Sequence, residues 1–270
     1  MCVFTRCWLC KRRCGYCQRA CGRVQPVEMV NLPGLFLKHT GLACGASDID
    51  DVRAAWFTAT GKTGKPSRSW KGFDAQDKRR LLHDVARAAQ TEEQEYYTPY
   101  REMSMKKVTE KRVWSVEHVV PRSKCQMAQA DPWNFIEAVR SENSARSNLP
   151  LKLWPDASNQ MSISKFQMWN FEQHYAPPPH QRARLARKWL YTRATYGCMP
   201  MSKAQREHLP AIIALARHTP PDVVEVNVAK QLEAITGTRN PLILDSAPER
   251  WYDDVAWRSL VGCTVGTVGR

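Results

Sequence analysis

Apolar and polar positions along the chain alternate in three textures. Ser47, followed by Asp48, Asp50 and Asp51, reads as a helix cap with an acidic first turn, and the spacing predicts a helix through Val52 to Thr58 that stops at Gly61. A second helix is expected from a cap at Asp74, with Leu81, Leu82, Val85 and Ala88 recurring at helical intervals. Between Tyr96 and Pro155 the pattern changes to short apolar runs broken by turns. Lys111 to Val120 predicts one strand, closed by Pro121. Asp131 to Ile136 predicts a turn into a second strand, and Ala138 to Ser147 a short helix. Beyond the linker Pro177-Pro178-Pro179 the helical period returns over 181–196 and over 203–217, the latter behind a Ser202 cap. The tail from Ala247 carries little periodic signal, and no internal repeat is found. A mainly helical α+β domain follows from this order.

Composition narrows the class. At 43% hydrophobic with ten Trp in 270 residues, the chain can build a core, so wholesale disorder is excluded. The longest apolar run, around Leu209 to Ala216, is too short to span a bilayer. A net charge of +14 points to a polyanionic partner, and it is unevenly spread. Arg6, Lys11, Arg12, Arg13, Arg19 and Arg23 precede the first acid, Glu28, and between Pro178 and Arg217 eight Lys/Arg face Glu207 alone. Those helices are expected to contact backbone phosphates through Arg182, Arg184, Arg187 and Lys188, without reading bases.

The start of the chain lacks the apolar core of a secretory signal, which favours an intracellular, organellar or virion-packaged protein over a secreted one. Six of ten cysteines crowd there, and Cys7, Cys10, Cys14, Cys17 and Cys21 would share one stripe of a helix. Disulfides, or thiols packed against a protein partner, are one reading; a second metal site, with Zn²⁺ as its ion, is another. The CxxxCxxC stretch at Cys10 also matches radical-SAM spacing, but nothing downstream resembles that barrel. Gly61-Lys-Thr-Gly-Lys-Pro-Ser67 fails as a phosphate loop, since Ala59 and Pro66 stand where Gly and Ser/Thr are required.

The chemical signal lies at Glu117-His118, on the end of the first expected strand. At a strand terminus both side chains can reach one cleft; His can take a proton near neutral pH and Glu can hold a hard cation. Trp114-Ser-Val-Glu-His-Val-Val-Pro121, Asp131-Pro-Trp-Asn-Phe135 and Glu142-Asn-Ser-Ala-Arg-Ser-Asn148 appear in that order. Arg182-Ala-Arg-Leu-Ala-Arg187 with Tyr191 and Tyr196, then Glu225, Leu232, Gly237, Asn240 and Pro241, follow at matching gaps. Together these blocks resemble the endonuclease I family, within the ββα-metal (His-Me) finger nucleases, over about residues 50–245.

The resemblance implies a ββα-metal finger core embedded in a mainly helical domain. It divides the chain into a basic Cys-rich extension over 1–27, a linker over 28–49, the nuclease domain over 50–245 and a tail over 246–270. It implies a Mg²⁺-dependent (or other divalent cation), sequence-nonspecific endonuclease acting on DNA, with RNA as a further substrate, and leaving 5′-phosphate ends. His118 would be the general base, Glu117 and Asn143 the metal ligands, and Arg146 a catalytic contact to the same phosphate. Asn134 and Asn148 would brace the finger. Family members often place a phosphate-binding arginine in a long insertion; here His118 and Asn143 are only 25 positions apart, so Arg122 or Lys124 takes that place. Two alternatives remain at this level: a noncatalytic nucleic-acid-binding or assembly protein on a nuclease scaffold, and a sequence-specific homing endonuclease, for which no DNA-reading module is found.

Overall fold

In the structure, a computed structural model, residues 46–62, 75–92, 96–100, 104, 113–154, 174–197, 201–253 and 255–262 are described. All belong to one unit, Cys44–Arg270. The amino-terminal cysteines Cys7, Cys10, Cys14, Cys17 and Cys21, the Asp74 cap and the Gly61 to Ser67 loop beyond Lys62 lie outside the described residues.

Helix α1 spans Ala46–Thr60, so Ser47 lies within it rather than before it. Gly61, at φ +68, ends it in the left-handed conformation that glycine adopts without steric cost. Helix α2 spans Ala75–Ala89, and the expected stripe is buried at Leu81, Leu82 and Val85, joined by Ala86 and Ala89 in place of the exposed Ala88. Strand β1, Trp114–His118, is shorter than expected. It pairs antiparallel with β2, Phe135–Val139, in a two-stranded sheet whose register sets Glu117 opposite Ile136 and His118 opposite Phe135. Between the strands runs a loop that ends in a 3-10 turn, Pro132–Asn134, capped by Asp131. Helix α3, Arg140–Arg146, follows β2 directly and packs on both strands.

Around this strand–strand–helix unit stand the remaining helices. Helix α4, Arg182–Tyr196, is buried at every position and packs against the 132–134 turn and its neighbouring helices. The helix expected over 203–217 divides into α5, Lys203–Glu207, and α6, Leu209–His218. Pro210 accounts for the break, because its ring nitrogen cannot donate to the carbonyl four residues back. Ser202 forms the expected cap, in a reciprocal capping box with Gln205. Helices α7, Val223–Thr236, and α8, Pro241–Leu244, follow.

The tail departs from the sequence reading. It folds into α9, Glu249–Asp253, and α10, Val255–Gly262, and buries Trp251, Tyr252, Trp257, Leu260 and Val261. Trp251 and Trp257 both pack on Trp56 of α1, their ring centroids 5.1 and 5.9 Å from it. Burying three Trp together offsets more chain entropy than the weak periodicity of these helices suggests.

Candidate active site

β1 and α3 position the side chains of the Glu117–His118 site. β1 delivers the pair to one open cleft of about 570 Å³, which Arg122, Gln129, Asn143 and Asn148 also line. His118 is fixed from both sides. Its ring meets Phe135 of β2 edge-on at 4.9 Å, and its Nε2 lies 3.0 Å from the Gln129 carbonyl. A carbonyl oxygen only accepts, so Nε2 carries the proton and Nδ1 keeps a lone pair. Burial, followed by the nearby charges of Lys78, Arg122 and Arg146, pushes the His118 pKa down to about 4 against the opposing pull of the Gln129 carbonyl. The imidazole is therefore neutral at physiological pH, with a free basic nitrogen.

Asn143, on α3, donates from Nδ2 to Ser115 Oγ and to the Val116 carbonyl, both at 3.0 Å. Because the Val116 oxygen cannot donate, the amide orientation is determined and Oδ1 is the end left for another partner. Glu117 is buried, its Oε1 held by Arg146 and, at 3.3 Å, by the Tyr100 hydroxyl. Burial pushes its carboxyl pKa up, opposed chiefly by the Arg146 guanidinium. Its Oε2 takes no hydrogen bond from the described residues. Among the described residues no group of three or more His, Cys, Asp or Glu is placed so that it could hold a metal ion. The donors on this cleft are two oxygens, a carboxylate and an amide, which suits a hard cation that keeps most of its waters and does not suit zinc.

Arg146 is not placed as expected. It is 1% exposed, and beyond Glu117 it donates to the carbonyls of His118, Val119 and Leu149 at 2.6, 2.7 and 2.9 Å. With four of its five N–H donors engaged, it holds the end of β1 and the Glu117 carboxylate in place rather than reaching out to a phosphate as a free cation. Ser147, which follows it on the cleft wall, sits at φ 48 and ψ −124, a strained conformation for a residue with a Cβ.

The four cations expected to bind nucleic acid on α4 are corrected in the same way. Arg182 is buried and donates to the Pro177 and Trp154 carbonyls. Arg184 donates to the Tyr96 hydroxyl and covers that ring. Arg187 pairs with Glu225 and reaches the Ala216 carbonyl at 3.1 Å. Lys188 donates to the Phe135 carbonyl at 3.2 Å, and burial pushes its pKa down to about 8. None of the four presents its charge to solvent, so none is placed for a backbone phosphate.

The remaining expectations divide. Asn134 is fully buried and ties β1 to its loop, accepting from the Val120 amide at 2.8 Å and donating to the Val120 and Ala128 carbonyls. Asn148 is exposed on the cleft and makes no bracing hydrogen bond with the described residues, which corrects its expected role. Arg122 lines the main cleft. Lys124 lines a neighbouring, more apolar cleft of about 230 Å³ that shares Pro121, Arg146 and Asn148 with the first.

Several contributions to the site went unread in the sequence, even where the residue itself stood in a quoted block. Gln129 acts through its backbone carbonyl, for which side-chain chemistry gives no signal. Lys62, Asp131 and Tyr196 form a buried polar triangle, with Tyr196 donating to Asp131 at 2.7 Å, that anchors the loop between the strands. Cys125, buried in that loop, is disulfide-bonded.

The family model for Endonuclease I matches residues 58–247, more than half of the chain and the whole of this site. A search of curated proteins finds no match. With that match joined to the blocks of sequence that build the cleft, the chain belongs to the endonuclease I family.

Proposed function

We propose that this protein is an endonuclease of ββα-metal finger type that hydrolyses phosphodiester bonds of DNA, and of RNA as a further substrate, without sequence preference. The observation that carries this reading is the hydrogen bond from His118 Nε2 to the Gln129 carbonyl on the cleft, which leaves Nδ1 with its lone pair. Glu117 and Asn143 would hold a divalent cation, Mg²⁺ by the chemistry of their oxygens. When bound, that cation supplies positive charge against the phosphate and the departing 3′ oxygen.

The protein's own residues do the rest. His118 Nδ1 accepts the proton of the attacking water, and the imidazolium that forms is stabilised by the carbonyl already bound at Nε2. Neutral histidine waits for that proton because burial and three surrounding cations disfavour early protonation. Arg146 keeps β1 and Glu117 in register, while Asn143 is aimed by Ser115 and Val116. Expulsion of the 3′ oxygen leaves a 5′-phosphate.

Purified protein incubated with plasmid DNA and with single-stranded RNA, in Mg²⁺ or in EDTA, tests the reading. Cleavage with Mg²⁺ is expected to cease in EDTA and to fall about 10²- to 10⁴-fold in His118→Ala, the usual worth of a general base. Intact substrates in Mg²⁺, or equal cutting by the alanine variant, would instead support a noncatalytic binding protein on this scaffold.

A further inference from the structure

With the α4 cations buried and Arg146 held by Glu117 and three carbonyls, exposed charges near the cleft come from elsewhere. Lys78, near the start of α2, extends its ammonium to 5.5 Å from the centre of the Phe135 ring, the same ring that meets His118 at 4.9 Å. Arg122, just beyond β1, is exposed on the lining of the His118 cleft. Two elements that are 44 positions apart in sequence thus each bring a cation near one imidazole, Lys78 across the Phe135 ring and Arg122 along the cleft wall.

These two charges oppose each other. Burial and the Arg122 charge together lower the Lys78 pKa, and both cations act on His118. Neither has a carboxylate partner among the described residues, whereas Arg53, Lys62, Arg187, Arg217, Arg239 and Arg250 all do. Like charges held within range of each other cost stability unless an anion sits between them.

We propose that Lys78 and Arg122 form a two-cation site for a backbone phosphate of the nucleic-acid strand, adjacent to the phosphate being cut. The identity of the anion rests on the nuclease reading above. In this site α2 supplies one of the two cations from outside the strand–strand–helix unit, and the segment after β1 supplies the other.

The test is binding of a short fluorescein-labelled DNA duplex to the full chain in EDTA, read by anisotropy over a range of salt, so that cleavage plays no part. Lys78→Met and Arg122→Met are each expected to weaken binding and to flatten the plot of log Kd against log salt by about 0.9, the share of one phosphate contact. The wild-type advantage over each variant then shrinks about threefold between ~50 and ~200 mM salt. Lys78→Met keeps an unbranched stem over Phe135, and Lys78→Arg, which restores the charge, is expected to recover the slope. Arg80→Met removes the same unit of charge from an exposed position about 200° round α2 and is expected to leave the slope unchanged.

The proposal is overturned if Lys78→Met keeps the wild-type slope, if it loses no more affinity than Arg80→Met, or if the wild type does not bind the duplex. Flattened slopes in a protein that fails to cut with Mg²⁺ would uphold this site and sink the nuclease reading. Cutting by His118-dependent enzyme with an unchanged Lys78→Met slope would do the reverse.

Discussion

A histidine that is to accept a proton must be neutral beforehand, and at this site three cations and burial see to that. The consequence appears in the pH profile. Free imidazole titrates near 6.5, but here the pKa is pushed down to about 4, because burial and then the charges of Lys78, Arg122 and Arg146 outweigh the Gln129 carbonyl, which favours protonation. The base is active when deprotonated, so kcat/KM should hold constant as pH falls through 6.5 and decline only as it approaches the lower value. A bound cation adds positive charge and moves the limb the same way. Steady-state rates on plasmid across acidic pH check this; an acid limb centred at or above 6.5 would show that the imidazole is not held in this environment. Glu117, His118 and Asn143 were legible as candidates because a carboxylate, an imidazole and an amide carry the atoms that the proposed chemistry needs. Gln129 and Val116 were not, since any residue supplies a carbonyl. Arg146 was legible as important but misread in role: spacing placed it beside Asn143, and only the fold reveals that four oxygen acceptors already surround it.

At the scale of elements, two glycines end helices in the left-handed conformation and meet each other. Gly61 closes α1 at φ +68 and Gly237 closes α7 at φ +64, and the Arg239 amide donates to the Thr60 carbonyl at 2.9 Å, so the two helix ends are joined. They are not equivalent. A Cβ on Gly61 would stand 3.2 Å from the Gly237 carbonyl oxygen, whereas one on Gly237 would meet nothing within 4 Å. Gly237→Ala should therefore cost only the left-handed penalty, about 1 kcal/mol, while Gly61→Ala adds a backbone clash and should cost about 2 kcal/mol or more. Urea denaturation of the two variants checks the order; equal losses would mean that the helix ends separate to admit the methyl group. The helix stop at Gly61 was readable, because glycine after a periodic segment has a local cause. The break at His208 was hidden by continuous apolar spacing across Pro210. Helices α9 and α10 were hidden because their burial comes from rings on α1, nearly two hundred positions away, and no local pattern encodes it.

For the whole molecule, the question is where a charge of +14 goes. Sequence reading assigned half of it to a phosphate-facing surface on the helices after Pro177, but α4 runs through the interior and its cations serve as internal connectors. Arg187 joins Glu225 on α7 to the carbonyls ending α6, while Arg182 reaches the carbonyl of Trp154. A run of arginines on a helix has the same appearance in sequence whether it faces DNA or a set of buried acceptors, and the partners that decide between them lie on other elements. The two roles separate in experiment. Arg187→Met leaves Glu225 buried without its partner, which should destabilise the fold by about 3–5 kcal/mol. The same substitution should leave the salt dependence of DNA binding unchanged under conditions where the variant is folded, since no phosphate contact is lost. Denaturation midpoints and anisotropy on one preparation give both numbers. A variant with near-normal stability and a flattened salt slope would return Arg187 to the surface and, with it, the substrate path to α4; a large loss of stability with the slope intact leaves that path on the side of Lys78 and Arg122.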